Sequence, residues 1–319
     1  MSAVLTLSDV VVEYRQASGV VQAVSGVSLD VAPGETVGIV GESGCGKSTL
    51  AKSIVGLVPV ASGKINYDGT DLARLSPKER RRRSASLQMI FQDPISSLNP
   101  RRTVTDIVME GASVWPDMVS GDARQRAKEL LDQVGLDPNV VGQRHPHQLS
   151  GGQCQRVAIA RALLLEPKVI VCDEPVSALD VSVQAQILNL LEDLKAQYSL
   201  TLVFIAHDLA VVKSISDRVM VMYLGKTCEL ADASHLYVSP SHPYSEALLR
   251  SIPSPDPSTR RQRRQALPGE PPSPIDPPAG CRFHTRCYKA EGVCAATEPA
   301  LLAVSDQHSV ACHFPTSPG

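Results

Sequence analysis

A nine-residue stretch rich in glycine constrains this chain more than any other feature. It reads Gly41-Glu42-Ser43-Gly44-Cys45-Gly46-Lys47-Ser48-Thr49. The apolar segment Thr36–Val40 before it predicts a buried strand, and Lys47–Leu57 after it predicts a helix. Glycines in such a loop let backbone N–H groups turn inward around phosphate oxygens, and the helix N-terminus adds positive partial charge. The stretch therefore predicts a phosphate-binding loop, or P-loop.

A second motif predicts what the loop is used for. The apolar strand Val169–Cys172 ends in the carboxylates Asp173 and Glu174. In a P-loop protein Lys47 reaches the outer phosphates and Ser48 ligates Mg²⁺. We expect Asp173 to hold Mg²⁺ through water and Glu174 to act as the general base for an attacking water. Together the two motifs predict a P-loop nucleoside triphosphatase.

A third motif narrows the class. Leu149-Ser150-Gly151-Gly152-Gln153 precedes a predicted helix, with Ser150 as its N-cap. Here the chain resembles the ATP-binding cassette (ABC) family, the ATPase subunits of ABC transporters, whose signature sequence is LSGGQ. The resemblance implies that Ser150, Gly151, Gly152 and Gln153 serve the ATP held on the P-loop of a second cassette. Two cassettes would thus enclose two nucleotides.

The remaining family motifs occur in order along the chain. The resemblance implies that Gln92 senses Mg²⁺ and the attacking water, and that His207 contacts the γ-phosphate. It also implies that Asp180 couples the two sites of a dimer and that Tyr14 stacks on adenine. The predicted catalytic residues are Glu174, His207 and Gln92, and the predicted magnesium ligands are Ser48 and Gln92. The other predicted nucleotide-binding residues are Tyr14, Gly41, Glu42, Ser43, Gly44, Cys45, Gly46, Lys47, Ser48, Thr49, Asp173, Ser150, Gly151, Gly152, Gln153 and Asp180.

The resemblance also implies the fold class, an α/β P-loop cassette. Its expected parts are a parallel-sheet core, an antiparallel β subdomain and a helical subdomain over roughly 103–165. We expect this ATPase domain to span 1–252. Nine prolines between Pro253 and Pro278 predict an extended linker over 253–280. A small cysteine-containing extension, 281–319, would follow it.

Finer features resemble the ATPases of dipeptide and oligopeptide importers. They are the segments Phe91–Pro94, Ser96–Arg101, His145–Gln148 and Ser241–Tyr244, and the cysteine tail. The resemblance implies ATP hydrolysis that powers peptide import across the cytoplasmic membrane. Related importers for nickel, glutathione or opines are alternatives, and a soluble ABC ATPase outside transport is a further one.

Composition and hydropathy restrict the partners. The net charge is −2 and aromatic residues make up 4% of the chain, which argues against a nucleic-acid partner. The chain has no apolar run of 18 residues, so separate subunits must supply the membrane pore. The resemblance implies two permease subunits, a second ATPase subunit that is a different but related chain, and an extracytoplasmic peptide-binding protein. We therefore expect a peripheral protein on the cytoplasmic face of the inner membrane.

The tail carries four cysteines: Cys281, Cys287, Cys294 and Cys312. Four thiolates in one short segment suit a metal or a cluster, although structural zinc prefers cysteine pairs that are closer in sequence. In peptide-importer ATPases the corresponding cysteines resemble ligands of a [4Fe–4S] cluster. Zinc and free thiols remain alternatives, and His284, His308 or His313 can replace one ligand.

Separately, Lys47 and the helix N-terminus predict a lowered thiol pKa, and hence oxidation sensitivity, for Cys45.

Overall fold

The computed structural model describes residues 3–17, 19–119, 121–252 and 269–316. The chain forms two compact units. The first comprises Met1–Val31, Thr36–Leu72 and Phe204–Gly319, and the second comprises Ala32–Glu35 and Ala73–Val203. Most of the predicted proline-rich linker, residues 253–268, lies outside the described residues.

The described residues form strands and helices that are mixed along the chain. The strands are β1 (Leu5–Gln16), β2 (Gly19–Val31), β3 (Thr36–Val40), β4 (Ser62–Tyr67), β5 (Thr70–Asp71), β6 (Leu87–Ile90), β7 (Val169–Asp173), β8 (Thr201–Ile205), β9 (Arg218–Tyr223), β10 (Lys226–Asp232), β11 (Leu302–Ser305) and β12 (His308–Val310). The helices are α1 (Lys47–Ile54), α2 (Pro77–Ser84), α3 (Pro94–Ser97), α4 (Val104–Val108), α5 (Glu110–Val114), α6 (Ala123–Gln133), α7 (Pro138–Val141), α8 (Gly151–Leu163), α9 (Val181–Tyr198), α10 (Leu209–Ile215), α11 (Ala233–Leu236), α12 (Pro243–Arg250) and α13 (Gly292–Ala296). Within the described ranges, no helix combines the length and apolar character needed to cross a bilayer.

The first unit contains an antiparallel sheet in the order β2-β1-β4-β5. Along β1, Leu7 lies opposite Leu29 of β2 and Ile65 of β4, and all three side chains are buried. Val24 and Val27 of β2 are buried as well. One-sided burial of this kind is usual for an antiparallel sheet.

A second set of strands in the first unit has the order β11-β12-β10-β9-β3. Strand β3 pairs in parallel with β9, whereas β9 and β10 form an antiparallel hairpin. The hairpin turn consists of Leu224 and Gly225, both with positive φ, at 43° and 77°. Two consecutive positive φ angles are typical of the type I′ turn, which matches the twist of the strands it joins. The sheet is therefore mixed rather than purely parallel.

The cysteine-bearing tail belongs to this second set of strands. Strand β12 pairs with β10, so that Val310 lies opposite Glu229 and His308 opposite Ala231. Strand β11 pairs with β12 at the edge and is exposed along its length. Sequence reasoning does not reveal this pairing, because both strands are short and β11 lacks a buried face. The tail is thus bonded to the cassette through main-chain hydrogen bonds.

A buried carboxylate fastens the tail further. The side chain of Glu229 is fully buried and accepts hydrogen bonds from the backbone N–H groups of Ser241 at 2.6 Å and His242 at 3.0 Å. It also contacts Nε2 of His308, on β12, at 2.7 Å. Buried carboxylates are tolerated only when such partners replace water. Glu229 therefore joins β10, the segment that leads into α12, and the tail.

The second unit contains the parallel pair β6 and β7, with Ile90 opposite Cys172. Every residue of β7 is buried, as the continuous apolar run predicted. Helix α9 buries Ile187, Leu191 and Leu194, which lie on one face of the helix. Helices α4 to α8 occupy the stretch between Val104 and Leu163.

Helix α1 ends three residues earlier than the sequence predicted. Gly56 has a φ of 77°, and its N–H donates to the Ser53 carbonyl at 3.1 Å. The N–H of Leu57 donates to the Lys52 carbonyl at 2.8 Å. These two bonds define a Schellman cap, in which a left-handed glycine ends the helix.

Replacing Glu229 by Gln is expected to lower the free energy of unfolding by about 2 kcal/mol, because the amide NH2 replaces one accepting oxygen and leaves one buried N–H donor unsatisfied. Urea denaturation followed by circular dichroism measures the change. The control is Glu298→Gln, whose carboxylate is 57% exposed and contacts Lys226 at 2.6 Å. That exposed pair should contribute no more than about 0.5 kcal/mol. Equal losses in the two variants would contradict the role assigned to the buried group.

Candidate functional site

The P-loop follows β3 in the first unit and curves tightly before α1. Gly41 and Gly46 have φ angles of 154° and 106°. A Cβ on Gly41 would lie 2.2 Å from the Met222 carbonyl oxygen, and one on Gly46 would lie 2.1 Å from that of Ala23. Both distances are far below van der Waals contact, so only glycine fits at either position. Neighbouring backbone therefore shapes the loop from two sides.

Lys47 begins α1 and is almost completely buried. Its ammonium group donates hydrogen bonds to the carbonyl oxygens of Gly41 at 2.8 Å and Glu42 at 3.0 Å. The side chain therefore folds back along the loop and places its charge beside the main chain that precedes it. Ser48 and Thr49, in the first turn of α1, are half-buried, and Ser43 and Gly44 are exposed at the tip of the loop.

The expected low thiol pKa of Cys45 is wrong. The side chain is 4% exposed, and burial raises the pKa of the thiol. The Lys47 ammonium, 3.8 Å from Sγ, offsets this only in part. Desolvation of the thiolate outweighs the nearby charge. Cys45 thus behaves as a small packing residue within the loop.

Two predicted catalytic side chains meet in the second unit. Nε2 of Gln92 donates a hydrogen bond to Oε2 of Glu174 at 2.9 Å. Gln92 follows β6 and Glu174 follows β7. Because those strands are parallel neighbours, their carboxyl ends lie at the same edge. Residues 82 positions apart in sequence are thereby brought into contact.

The backbone at Glu174 is unusual for a residue with a side chain. Its φ is 47°, in the left-handed region that favours glycine. Asp173, immediately before it, is 3% exposed and ends β7. Such strain persists where the surroundings fix the conformation, and it is concentrated at functional sites. The turn separates two adjacent carboxylates, leaving Asp173 buried and Glu174 half-exposed.

The signature motif forms the start of α8 in the second unit. Ser150 Oγ accepts from the Gln153 N–H at 3.3 Å, and Gln153 Oε1 accepts from the Ser150 N–H at 3.0 Å. This is a capping box, and it confirms the N-cap predicted for Ser150. A Cβ on Gly152 would lie 2.7 Å from Val183, so this glycine also allows close packing against α9.

The local contacts of Cys154, which follows the signature, and of Asp180, which precedes α9, show what each residue does. Cys154 is fully buried, and its thiol lies 3.6 Å from the Pro146 carbonyl oxygen. A small residue fits this enclosed position. Asp180 caps α9 by accepting from the Val183 N–H at 3.0 Å and from Ser182 Oγ at 2.6 Å. The Ser182 hydroxyl, with that N–H, lowers the pKa of the Asp180 carboxyl.

Tyr14 and His207 lie in the first unit. Tyr14 is on β1, opposite Val21, and its side chain is 37% exposed. A tyrosine that served only to pack the protein interior would be buried. The exposed ring of Tyr14 is instead accessible to a ligand. His207 is exposed and lies two residues after the end of β8. The next residue, Asp208, caps α10 through its carboxylate. The first unit thus carries the P-loop, Tyr14 and His207, and the second carries the carboxylates, Gln92 and the signature.

Comparison with known proteins decides the family. A family model described as "ABC transporter" matches residues 24–177, and one described as "Oligopeptide/dipeptide transporter, C-terminal region" matches residues 228–294. The oligopeptide transport ATP-binding protein OppF of Salmonella typhimurium is 52% identical over 301 residues. Those residues make up 94% of this chain and 90% of that protein. This chain is an ATP-binding subunit of the oligopeptide/dipeptide ABC transporter family.

Other relatives agree with this assignment. A putative peptide import ATP-binding protein of Brucella ovis is 49% identical over 308 residues, covering 97% of this ATP-binding subunit and 96% of its relative. The solved structure of cbiO1 from Clostridium perfringens, part of an ABC transporter complex, is similar with a TM-score of 0.65 and 29% identity. The similar region covers 74% of this subunit and 91% of the cbiO1 chain. The predicted ABC cassette fold is confirmed.

Three aromatic residues join the tail of the ATP-binding subunit to the cassette. Phe283 is 2% exposed and packs edge-on against Tyr223 and tilted against Tyr244, each with a centroid distance of 5.2 Å. The Tyr244 hydroxyl accepts a hydrogen bond from the Glu42 N–H in the P-loop at 2.8 Å. Sequence reasoning recognised the segment around Tyr244 only as a family motif. No local signal connects it to Glu42, since 202 positions separate the two residues.

The His242 ring positions Tyr244. Its Nδ1 accepts from the Tyr244 N–H at 3.0 Å and thereby caps α12. Burial lowers the pKa of His242 to about 3. The ring is therefore neutral at physiological pH, which this accepting role requires.

The four tail cysteines lie in one neighbourhood. The Cys281 N–H donates to the Cys294 carbonyl at 2.8 Å. Burial raises the pKa of Cys281 to about 11, with smaller contributions from Cys312, Cys287 and Cys294. Within the ranges that the structure describes, no three histidine, cysteine or acidic side chains are grouped closely enough to hold a single metal ion.

The neighbouring histidines already have other partners. His284 Nδ1 lies 2.8 Å from the Cys281 carbonyl oxygen, and His313 Nε2 lies 2.9 Å from that of Thr297. His308 contacts the buried Glu229.

Replacing Gly46 by Ala is expected to lower the free energy of unfolding by about 3 kcal/mol, because both the left-handed backbone and the contact with Ala23 oppose a side chain. Gly44→Ala is the matched control, since Gly44 also has a positive φ, of 79°, but nothing lies within 4 Å of its added Cβ. We expect it to cost about 1 kcal/mol. Chemical denaturation measures both variants. Equal losses would show that backbone conformation alone, and not close approach, demands glycine at position 46.

Proposed function

We propose that this chain hydrolyses ATP to drive the import of dipeptides and oligopeptides across the cytoplasmic membrane. The observation that carries the proposal is the hydrogen bond between Gln92 and Glu174 in a chain whose other cassette motifs are intact. A degenerate cassette that only senses nucleotide would not need a general base held in this way. Similarity to oligopeptide transport ATP-binding proteins over more than nine tenths of the chain supports the substrate class.

Glu174 acts as the general base. Gln92 donates a hydrogen bond to Oε2 of Glu174, and the carboxylate accepts a proton from the attacking water. A fixed carboxylate does not have to reorient during the reaction, and such positioning lowers the barrier. The left-handed backbone at Glu174 directs the side chain away from the buried Asp173.

The other residues bind and orient the nucleotide. Lys47 and the backbone of Gly41, Glu42, Ser43, Gly44, Cys45, Gly46 and Thr49 hold the phosphates, and Tyr14 stacks on adenine. His207 contacts the γ-phosphate. Ser48 and Gln92 would hold Mg²⁺, with Asp173 acting through water, and the ion would supply positive charge beside the phosphates. Ser150, Gly151, Gly152 and Gln153 contact the ATP of a second cassette, and Asp180 couples the two sites.

The partners follow from the transporter assignment. This ATPase works with a second ATPase subunit, two permease subunits that form the pore, and an extracytoplasmic peptide-binding protein. It lies on the cytoplasmic face of the membrane as a peripheral subunit. Closure of two cassettes around ATP, and reopening after hydrolysis, transmits the motion to the permeases.

Glu174→Gln should reduce the rate of ATP hydrolysis by at least roughly 100-fold, because the amide cannot accept a proton from water. Phosphate release by the chain, purified with co-expressed partner subunits, measures the rate. Equilibrium binding of ATP should be retained, since Gln keeps the size of the side chain. The control is Glu192→Gln, an exposed carboxylate on α9 in the same unit, which should leave the rate unchanged.

Two results would count against this function. Wild-type protein that binds ATP without turnover would indicate a nucleotide sensor. A Glu174→Gln variant that hydrolyses ATP at half the wild-type rate or more would remove Glu174 from the role of general base.

The tail cysteines are proposed to hold a [4Fe–4S] cluster through Cys281, Cys287, Cys294 and Cys312. Three of these thiols have a raised pKa, and neighbouring cysteines contribute to each shift. Thiols that oppose one another's ionisation suit a metal centre whose positive charge offsets the repulsion. A four-iron cluster is held by four cysteine thiolates, which these four residues can supply. The cluster would join the loop around Cys287 to α13 and β12.

Anaerobically purified protein should contain about four iron and four sulfide per chain, as Cys₄ ligation of such a cluster requires. Cys294→Ser should lose most of both. Cys228→Ser is the control, because Cys228 is a buried cysteine on the adjacent strand β10 and is not a proposed ligand. Zinc or no metal in the wild-type protein would contradict the cluster, and loss of iron in Cys228→Ser would contradict the ligand set.

A further inference from the structure

An acidic side chain lies within a loop that is otherwise adapted to anions. Glu42 is the second residue of the P-loop, and its side chain is 25% exposed. The backbone N–H groups and Lys47 favour phosphate oxygens at this loop. A free carboxylate at the same place would repel them, and more strongly for a nucleotide with more phosphates. The loop therefore needs a compensating charge.

The tail supplies that charge. Arg286 lies between Cys281 and Cys287, and its side chain is only 5% exposed. Nη1 donates to Glu42 Oε2 at 2.6 Å and Nη2 donates to Oε1 at 3.1 Å. This paired geometry is the strongest form of arginine–carboxylate contact. A guanidinium is always protonated in proteins, so Arg286 brings a full positive charge to Glu42.

The packing around Arg286 fixes it in this position. Its guanidinium also donates to the Tyr223 hydroxyl at 3.3 Å. Phe283, one turn earlier, is buried against Tyr223 and Tyr244. Tyr244 in turn accepts from the Glu42 N–H. Glu42 is thus held through its main chain by α12 and through its side chain by the tail.

A second tail arginine contacts the same region without meeting an acid of the loop. Arg282 donates to the Leu224 carbonyl and, at 2.7 Å, to the Gln22 side chain. The next residue, Gly225, donates its N–H to the Cys45 carbonyl of the P-loop at 2.8 Å. The two arginines therefore distinguish packing from charge. Arg282 only contacts residues that support the loop, whereas Arg286 also neutralises Glu42.

We propose that Arg286 is a positioning residue of the nucleotide site, which neutralises Glu42 and thereby sets the affinity of the P-loop for ATP relative to ADP. The proposal rests on the ATP-binding function proposed above and deepens it. The cysteine-bearing tail is then part of the nucleotide site. Its folding, and any group its cysteines hold, is linked to nucleotide binding through one ion pair.

The two partners of this ion pair should respond with opposite sign. Arg286→Gln leaves the Glu42 charge unpaired, and we expect ATP affinity to fall roughly tenfold, as the repulsion between neighbouring charges at a protein surface predicts. ADP, with one phosphate fewer, should lose less. Glu42→Gln removes the repelling charge, so ATP affinity should equal or exceed that of the wild type. A purely structural ion pair would instead weaken binding in both variants.

The experiment is equilibrium titration of the full-length chain with fluorescent N-methylanthraniloyl ATP and ADP, in the presence of Mg²⁺ and at two salt concentrations. The double variant Glu42→Gln/Arg286→Gln should recover most of the ATP affinity that Arg286→Gln loses. High salt should shrink the Arg286→Gln defect, because ions screen the exposed part of the interaction. Arg282→Gln is the matched control, and Glu42→Gln should not rescue any defect it shows.

The outcomes are distinguishable. Wild-type protein that binds neither nucleotide would overturn the proposed function and this inference together. Normal wild-type binding with no ATP defect in Arg286→Gln, or with no recovery in the double variant, would overturn the inference alone. If Arg286→Gln fails to fold, the single Glu42→Gln variant still decides, since weaker ATP binding there contradicts charge neutralisation.

Discussion

The close approach of two glycines to backbone carbonyl oxygens holds the P-loop in its curve, and the first unit is arranged around that contact. Gly41 lies against Met222 at the end of β9, and Gly46 lies against Ala23 of β2. The loop is therefore shaped by a strand from each of the two sheets of its unit. Backbone around the loop contacts its glycines, and its lysine donates hydrogen bonds to the main chain of the loop itself.

In the second unit the corresponding constraint is the parallel pairing of β6 and β7. Parallel strands end at the same edge, and residues that follow them become neighbours however far apart they are in sequence. This places Gln92 beside Glu174. The left-handed turn at Glu174 then separates two carboxylates that are adjacent in the chain, one buried and one accessible. The chemistry expected of each carboxylate depends on that separation.

The tail is integrated with the cassette at three levels. Its strands β12 and β11 extend the mixed sheet, Glu229 and His308 form a buried polar contact, and Phe283 completes an aromatic cluster. Arg286 adds an ion pair that reaches the P-loop itself. A segment of fewer than 40 residues cannot bury a large core of its own. Most of its order therefore comes from contacts with the cassette.

The sequence by itself determined the P-loop, the buried strand before the carboxylates, the N-cap at Ser150 and the family. These features depend on the spacing of residues that are close together in the chain, which the sequence shows directly. It predicted the wrong direction for the pKa of Cys45. The nearby charge of Lys47 is evident from the sequence, whereas the burial of the thiol is not. Only the tertiary structure decided that Arg286 and Tyr244 meet Glu42 across more than 200 positions. Such contacts arise from strand order and packing, which bring together residues that carry no local sign of one another.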